Sequence, residues 1–156
     1  MPLKMTRPLC IVSLAVLCVA AAAAIDESTQ TAPSLGLWLA VKRQLISEQG
    51  ENYFASSLKD AEIPGGANGV RYFRGTILII DRDNGVAKLT LGVEDPNRAD
   101  AILLFSPANS KRVLSTFKVG QLVEFDGVAT SFVKDPFSLT VREAGIHSIE
   151  ENEKNQ

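Results

Sequence analysis

The chain has 156 residues and carries 16 Lys and Arg against 18 Asp and Glu, a balance that argues against the dense basic stripe with which proteins neutralise nucleic-acid phosphates. Its two cysteines, Cys10 and Cys18, fall within the first 24 residues. The rest of the chain therefore has no thiol nucleophile, no cysteine metal ligand and no disulfide, and must be held by its core.

Residues 1–24 read as a leader. Lys4 and Arg7 form a positive start, residues 9–24 are an apolar stretch ending in five alanines, and Asp26 and Glu27 follow. That pattern predicts a secretory signal peptide cleaved near Ala24, and hence a periplasmic or secreted protein. The stretch is short for a membrane-spanning helix, which needs about 20 apolar residues. Leu17 before Cys18 is bulky where lipid attachment wants a small side chain. Without Lys4 and Arg7, 14 basic residues face 18 acidic ones, a net charge of −4. The 132 residues after Ala24 suffice for one domain with a core and are too few for two of ordinary size.

Residues 25–34 are polar with Pro33 and are expected to be a flexible lead-in. Residues 35–62 form a helical segment, with Ser34 placed to cap its start. Trp38, Val41 and Leu45 recur at helical spacing, as do Phe54 and Leu58, and Gly50 predicts a kink between the two halves. Trp38, Tyr53 and Phe54 are expected to pack the helix onto the remainder. Residues 63–69, Ile-Pro-Gly-Gly-Ala-Asn-Gly, are a turn-rich linker rather than a phosphate loop, since no strand precedes them and no helix follows.

The period then changes to that of strands. Residues 70–81 form the first, with Ile77 to Ile80 apolar on both faces, which predicts burial on both sides. Gly75 inside it predicts a bulge or a tight bend. Asp83, Asn84 and Gly85 supply a hairpin turn. They also resemble the start of a calcium loop, but Val86 to Leu89 read as strand where further oxygen ligands are required. Residues 86–93 are the return strand, with Ala87, Leu89, Leu91 and Val93 on one face. Residues 94–100 are a polar loop, expected to be solvated rather than to hold a cation. Residues 101–105 are a third strand, and 106–116 contain a short helical turn after Pro107. In the fourth strand, 121–131, Val123, Phe125, Gly127 and Ala129 alternate with polar positions. Phe137, Leu139 and Val141 make the apolar face of the fifth. Residues 150–156 are a charged tail expected to be disordered.

A hairpin between the first two of five strands, and a helical turn between the third and fourth, predict a mainly β protein. Residues 70–149 are expected to form a five-stranded OB-type barrel preceded by an N-terminal helix; a β-sandwich would need about seven strands. His147 is the one histidine, expected at the surface near the tail, and no catalytic constellation accompanies it. The expectation is a protein that is not an enzyme, with no cofactor and no metal. The turn between the last two strands, Lys134-Asp135-Pro136, is flanked by Phe132 and Phe137. In an OB barrel that loop borders the usual binding face. Exposed aromatics there stack on a base or a sugar; buried, they close the end of the barrel. With Arg74 they make the candidate ligand-binding set: Arg74, Phe132, Lys134 and Phe137.

The segments Tyr53-Phe54, Lys59-Asp60-Ala61, Ile63-Pro64, Phe73-Arg74-Gly75-Thr76, Val119-Gly120-Gln121, Val123-Glu124-Phe125-Asp126-Gly127-Val128 and Asp135-Pro136-Phe137-Ser138-Leu139-Thr140 resemble exported bacterial domains related to the tRNA-anticodon-binding-like OB-fold family. The resemblance spans residues 49–149. It implies the OB fold, a place in the cell envelope and, by fold ancestry alone, nucleic acid; fold does not fix function. Similar proteins often carry tetratricopeptide repeats before the domain, where this chain has one helix. The resemblance implies no catalytic residue. The combined expectation is a non-enzymatic exported OB-fold binding module for a protein or a small envelope ligand. A single-stranded nucleic-acid binder is the alternative, and an enzyme without a recognisable active site comes last.

Overall fold

The computed structural model describes residues 28–149. The leader with its two cysteines, and the charged tail, lie outside them. Helix α1 runs Ser28–Ile46, so the part of the expected lead-in from residue 28 onward is helical. Ser34 lies inside the helix rather than at its cap. Its Oγ instead donates to the Tyr72 carbonyl at 3.1 Å, tying the helix to the segment before the first long strand. The expected break falls at Gly50, where α2, Gly50–Tyr53, begins. A Cβ there would collide with the Leu45 carbonyl oxygen, so the reversal after α1 requires glycine. A π turn, Phe54–Leu58, continues α2.

The helical segment ends there, short of residue 62. Glu62–Ile63 form instead a two-residue strand, β1, so the glycine-rich linker does follow a strand. The long strands are β2, Phe73–Asp81; β3, Val86–Thr90; β4, Ala101–Leu104; β5, Leu122–Lys134; and β6, Phe137–Ser148. A short helix, α3, Ser110–Leu114, lies between β4 and β5. The sheet closes on itself: β2 pairs β3, β3 pairs β4, β4 pairs β6, β6 pairs β5, and β5 returns to β2. All these pairings are antiparallel except β4–β6, which is parallel over Ala101–Leu103 against Leu139–Val141. β1 lies outside this ring of five strands, on β5, with Ile63 opposite Gly127.

Alternation places Val123, Phe125, Ala129, Phe137, Leu139 and Val141 inside the ring, all buried. Helix α1 closes one end. Trp38 is buried, and its indole meets the rings of Phe73, Phe125 and Phe137 edge-on at 5.1, 6.2 and 6.1 Å. Edge-to-face pairs of this kind contribute about 0.5–1.5 kcal/mol each beyond area burial. Phe54 packs against Phe132 at 5.1 Å, and Tyr53 lies against the same core, so all three helix aromatics do join the helix to the sheet.

Two parts of the strand reading are corrected. β2 is not buried on both faces. Ile77 is fully buried opposite Leu89, but the register slips at Leu78, so that Ile79 faces Lys88 and is 51% exposed. A slip of one residue sends the following side chains to the other face. The slip falls at Leu78 and not at Gly75, whose role is close approach: a Cβ there would lie 3.1 Å from the Thr90 carbonyl oxygen and 3.3 Å from the Leu89 Cβ. Second, residues 94–100 are not simply solvated. Asp100 is buried and accepts the Leu91 N–H at 2.8 Å, while Glu94 binds Lys42 Nζ at 2.8 Å and Arg98 Nη2 at 2.6 Å. These carboxylates hold the loop against β3 and α1. β3 accordingly stops at Thr90, and Val93 is exposed rather than part of its apolar face.

Candidate functional site

The four residues singled out from sequence occupy two distant places. Phe137 is 3% exposed and packs on Trp38, with Lys42 Nζ 5.1 Å from its ring centre. Phe132 is half-buried against Phe54. The Lys134 ammonium donates to the Ser47 carbonyl at 3.1 Å, just past the end of α1, where a cation satisfies carbonyls left without helical partners. Phe137 is therefore core, and Phe132 is partly covered by Phe54. Arg74 lies elsewhere: its Nε donates to Glu124 Oε1 at 2.9 Å, across the β2–β5 pairing. It anchors a row of in-register side chains, Arg74, Glu124 and His147, on β2, β5 and β6.

That row leads to a cleft of about 390 Å³ beneath β1. Four separate stretches build it: Glu62, Ile63, Gly65 and Gly66; Arg71 and Tyr72; Asp126, Gly127 and Val128; and Glu143. Local backbone opens it. Gly127 takes φ 147° at a bulge in β5, where a Cβ would lie 2.5 Å from Val141 Cγ1. Opposite, Glu143 takes φ 50°, and Arg142 binds its carboxylate as well as Asp60 Oδ1 at 3.2 Å. Gly145 leaves room for Asp126, whose Oδ1 occupies the space of the missing Cβ.

His147 lies one residue before the end of β6, beside the cleft residues Tyr72 and Asp126. Its ring centre lies 4.7 Å from that of Tyr72, and its Nε2 is 3.7 Å from Asp126 Oδ2, too long for a hydrogen bond. His147 Nε2 has no hydrogen-bond partner among the described residues. No cluster of three or more metal-ligating side chains occurs among the described residues. At the β2–β3 turn Asp81 accepts the Asn84 N–H at 3.0 Å and its side-chain amide at 2.7 Å. The Asn84 side-chain bond, followed by the backbone one, holds the Asp81 carboxyl below its usual range, which accounts for the calcium-loop letters as a turn.

A second feature was visible only in part from sequence. On the outward side of the ring, Ile79, Lys88 and Ile102 stand in one row across β2, β3 and β4, and Val86 and Leu104 stand in the next. Ile79 and Leu104 are exposed, Val86 and Ile102 half-exposed. Lys88 forms no ion pair among the described residues. The alternation of β3 and β4 signals such a face. The contribution of Ile79 depends on the slip at Leu78, for which the sequence carries no local mark.

No described helix is long and apolar enough to cross a membrane. No protein-family model, curated protein or solved structure matches this chain.

Proposed function

We propose that this chain is a non-enzymatic, exported binding domain of the OB type that docks a protein partner on the outward face of β2, β3 and β4. The OB reading is supported by the order of the ring. An antiparallel meander β2–β3–β4 is followed by helix α3, a parallel β4–β6 contact and closure of β5 on β2, as in the Greek-key OB barrel. Export is supported by the leader pattern of residues 1–24.

The observation that carries the binding surface is the row Ile79, Lys88 and Ile102. In OB domains the face of the second and third strands receives ligands; here those strands are β3 and β4. Branched apolar side chains around one unpaired cation suit a partner that brings an apolar patch with a carboxylate. Net acidity argues against a nucleic-acid strand on the same face.

The test is recovery of partners from a cross-linked envelope fraction by the chain beginning at Ile25, compared with Ile79→Asp and Lys88→Glu variants. Both positions face outward, so the variants should keep the wild-type melting temperature while losing the partner. Undiminished recovery by both would overturn the surface. Tight oligonucleotide binding that falls steeply with salt would replace the protein partner by single-stranded nucleic acid.

A further inference from the structure

We infer that the cleft beneath β1 is a separate binding site for a small zwitterion, a free amino acid or a short peptide. The inference does not depend on the docking face, since the row Ile79, Lys88 and Ile102 contributes nothing to the cleft lining.

Charges of both signs line one cavity. Glu62 and Arg71 both line it, yet neither forms an ion pair among the described residues. Opposite charges that share a cavity wall without meeting each other are complementary to a ligand carrying both signs. Asp126 adds a second carboxylate, whose one ion contact among the described residues is His147 at 3.7 Å. Glu143 is already matched by Arg142. The arrangement therefore presents acceptors for an ammonium at Glu62 and Asp126, and a planar two-pronged donor for a carboxylate at Arg71. A ligand with a single charge would forgo one of these charge-assisted contacts, which costs affinity.

Size and wall chemistry agree. A cavity of about 390 Å³ falls at the small end of ligand pockets, which run from roughly 300 to 1,000 Å³. It equals the liquid volume of about 13 waters, at roughly 30 Å³ each, which suits an amino acid or a dipeptide. Tyr72 supplies an aromatic wall beside the carboxylates, where a cation gains further from the ring face. Ile63 and Val128 supply apolar surface for a ligand side chain.

The test is titration calorimetry on the chain beginning at Ile25, with L-leucine, L-lysine and alanyl-alanine as probes. N-acetyl-leucine and leucine methyl ester serve as singly charged controls. The zwitterions should saturate one site, and each control should bind at least about tenfold more weakly, as expected when one charge-assisted contact is lost. Arg71→Gln should bring the acid and its ester to equal affinity, and Glu62→Gln should do the same for the free and acetylated amines. Both residues are exposed at the cleft mouth, so their loss leaves the core intact. Absence of saturable heat with all three zwitterions, or equal binding of leucine and its two derivatives, would overturn the assignment.

Discussion

At the Lys134–Phe137 end of the β5–β6 ladder the charged groups that approach the core find partners, while the buried Trp38 Nε1 has no hydrogen-bond partner among the described residues. Lys134 bonds the Ser47 carbonyl, Lys42 meets Glu94, and Phe137 lies under the Trp38 indole. At the Asp126–His147 end the same two strands are bulged at Gly127 and turned through a positive φ at Glu143, and side chains of both signs line a cavity. The two ends are separated by eight residues of β5, roughly 26 Å of strand. One ladder thus carries a sealed end and an open one. Helix α1 fills the first end with Trp38 and Lys42; at the second it contributes the Ser34 bond to the Tyr72 carbonyl, and β1, a strand of two residues, lines the cavity. A binding role belongs where the fold leaves charges unmatched, and polar or aromatic letters alone do not locate that place.

The comparison breaks first at Trp38. Trp38→Ala should cost about 3–5 kcal/mol, as large aromatic deletions in cores do, measured by urea unfolding; a loss under 1 kcal/mol would show that the sealed end is not the foundation of the fold. Gly127→Val forces a branched side chain into positive φ and against Val141, and should destabilise by about 1–3 kcal/mol while also narrowing the cleft. Lys134→Met removes one hydrogen bond at the sealed end and should cost about 1 kcal/mol, without changing ligand heats.

The Lys42–Glu94 pair makes the sealed end sensitive to pH. The hydrogen bond from Lys42, then its charge, with Arg98 adding less, holds the Glu94 carboxyl below its usual 4.5. A carboxyl lowered on folding stabilises above its unfolded pKa, and that contribution fades as pH falls through the folded value. Glu94→Gln should therefore melt below wild type at pH 7, with the gap closing below pH 4.5. A gap that is constant with pH would remove the ion pair from the account. Smallest in stability is Asp126→Asn, expected within about 0.5 kcal/mol as a surface change, yet expected to weaken zwitterion binding.

Much of the fold was legible because its strands announce themselves locally. Val123 and Phe125, or Phe137, Leu139 and Val141, alternate without ambiguity, and Gly50 marks the helix break with no tertiary information. What was not legible depends on partners far along the chain. The slip at Leu78 shows only against Lys88, and β1 exists only because Gly127 and Val128 receive it. Lys42 is buried because Glu94, 52 positions later, folds back to it. The site suffers most from this. Residues 62–63, 65–66, 71–72, 126–128 and 143 have no common motif, and each stretch reads alone as linker, edge or strand. Of the expected ligand set, Arg74 alone lies near the cleft, joined to it through Glu124 and His147. The three turn residues were chosen for aromatic and basic character, which serves equally well for closing a ring.

The position of β5 has a consequence for the order of events in folding. It pairs with β1, β2 and β6, and its contact with β2 joins Arg74 to Glu124 across 50 positions. The β2–β4 meander forms from short-range hairpins, but its apolar side is covered only in part, by α1, until β5 arrives, a long-range closure of the kind that slows folding. A chain emerging from its N-terminus would hold that half-built sheet open until residue 134 is free. An intermediate with exposed strands is prone to association, so the release of residue 134 is the step at which that exposure ends.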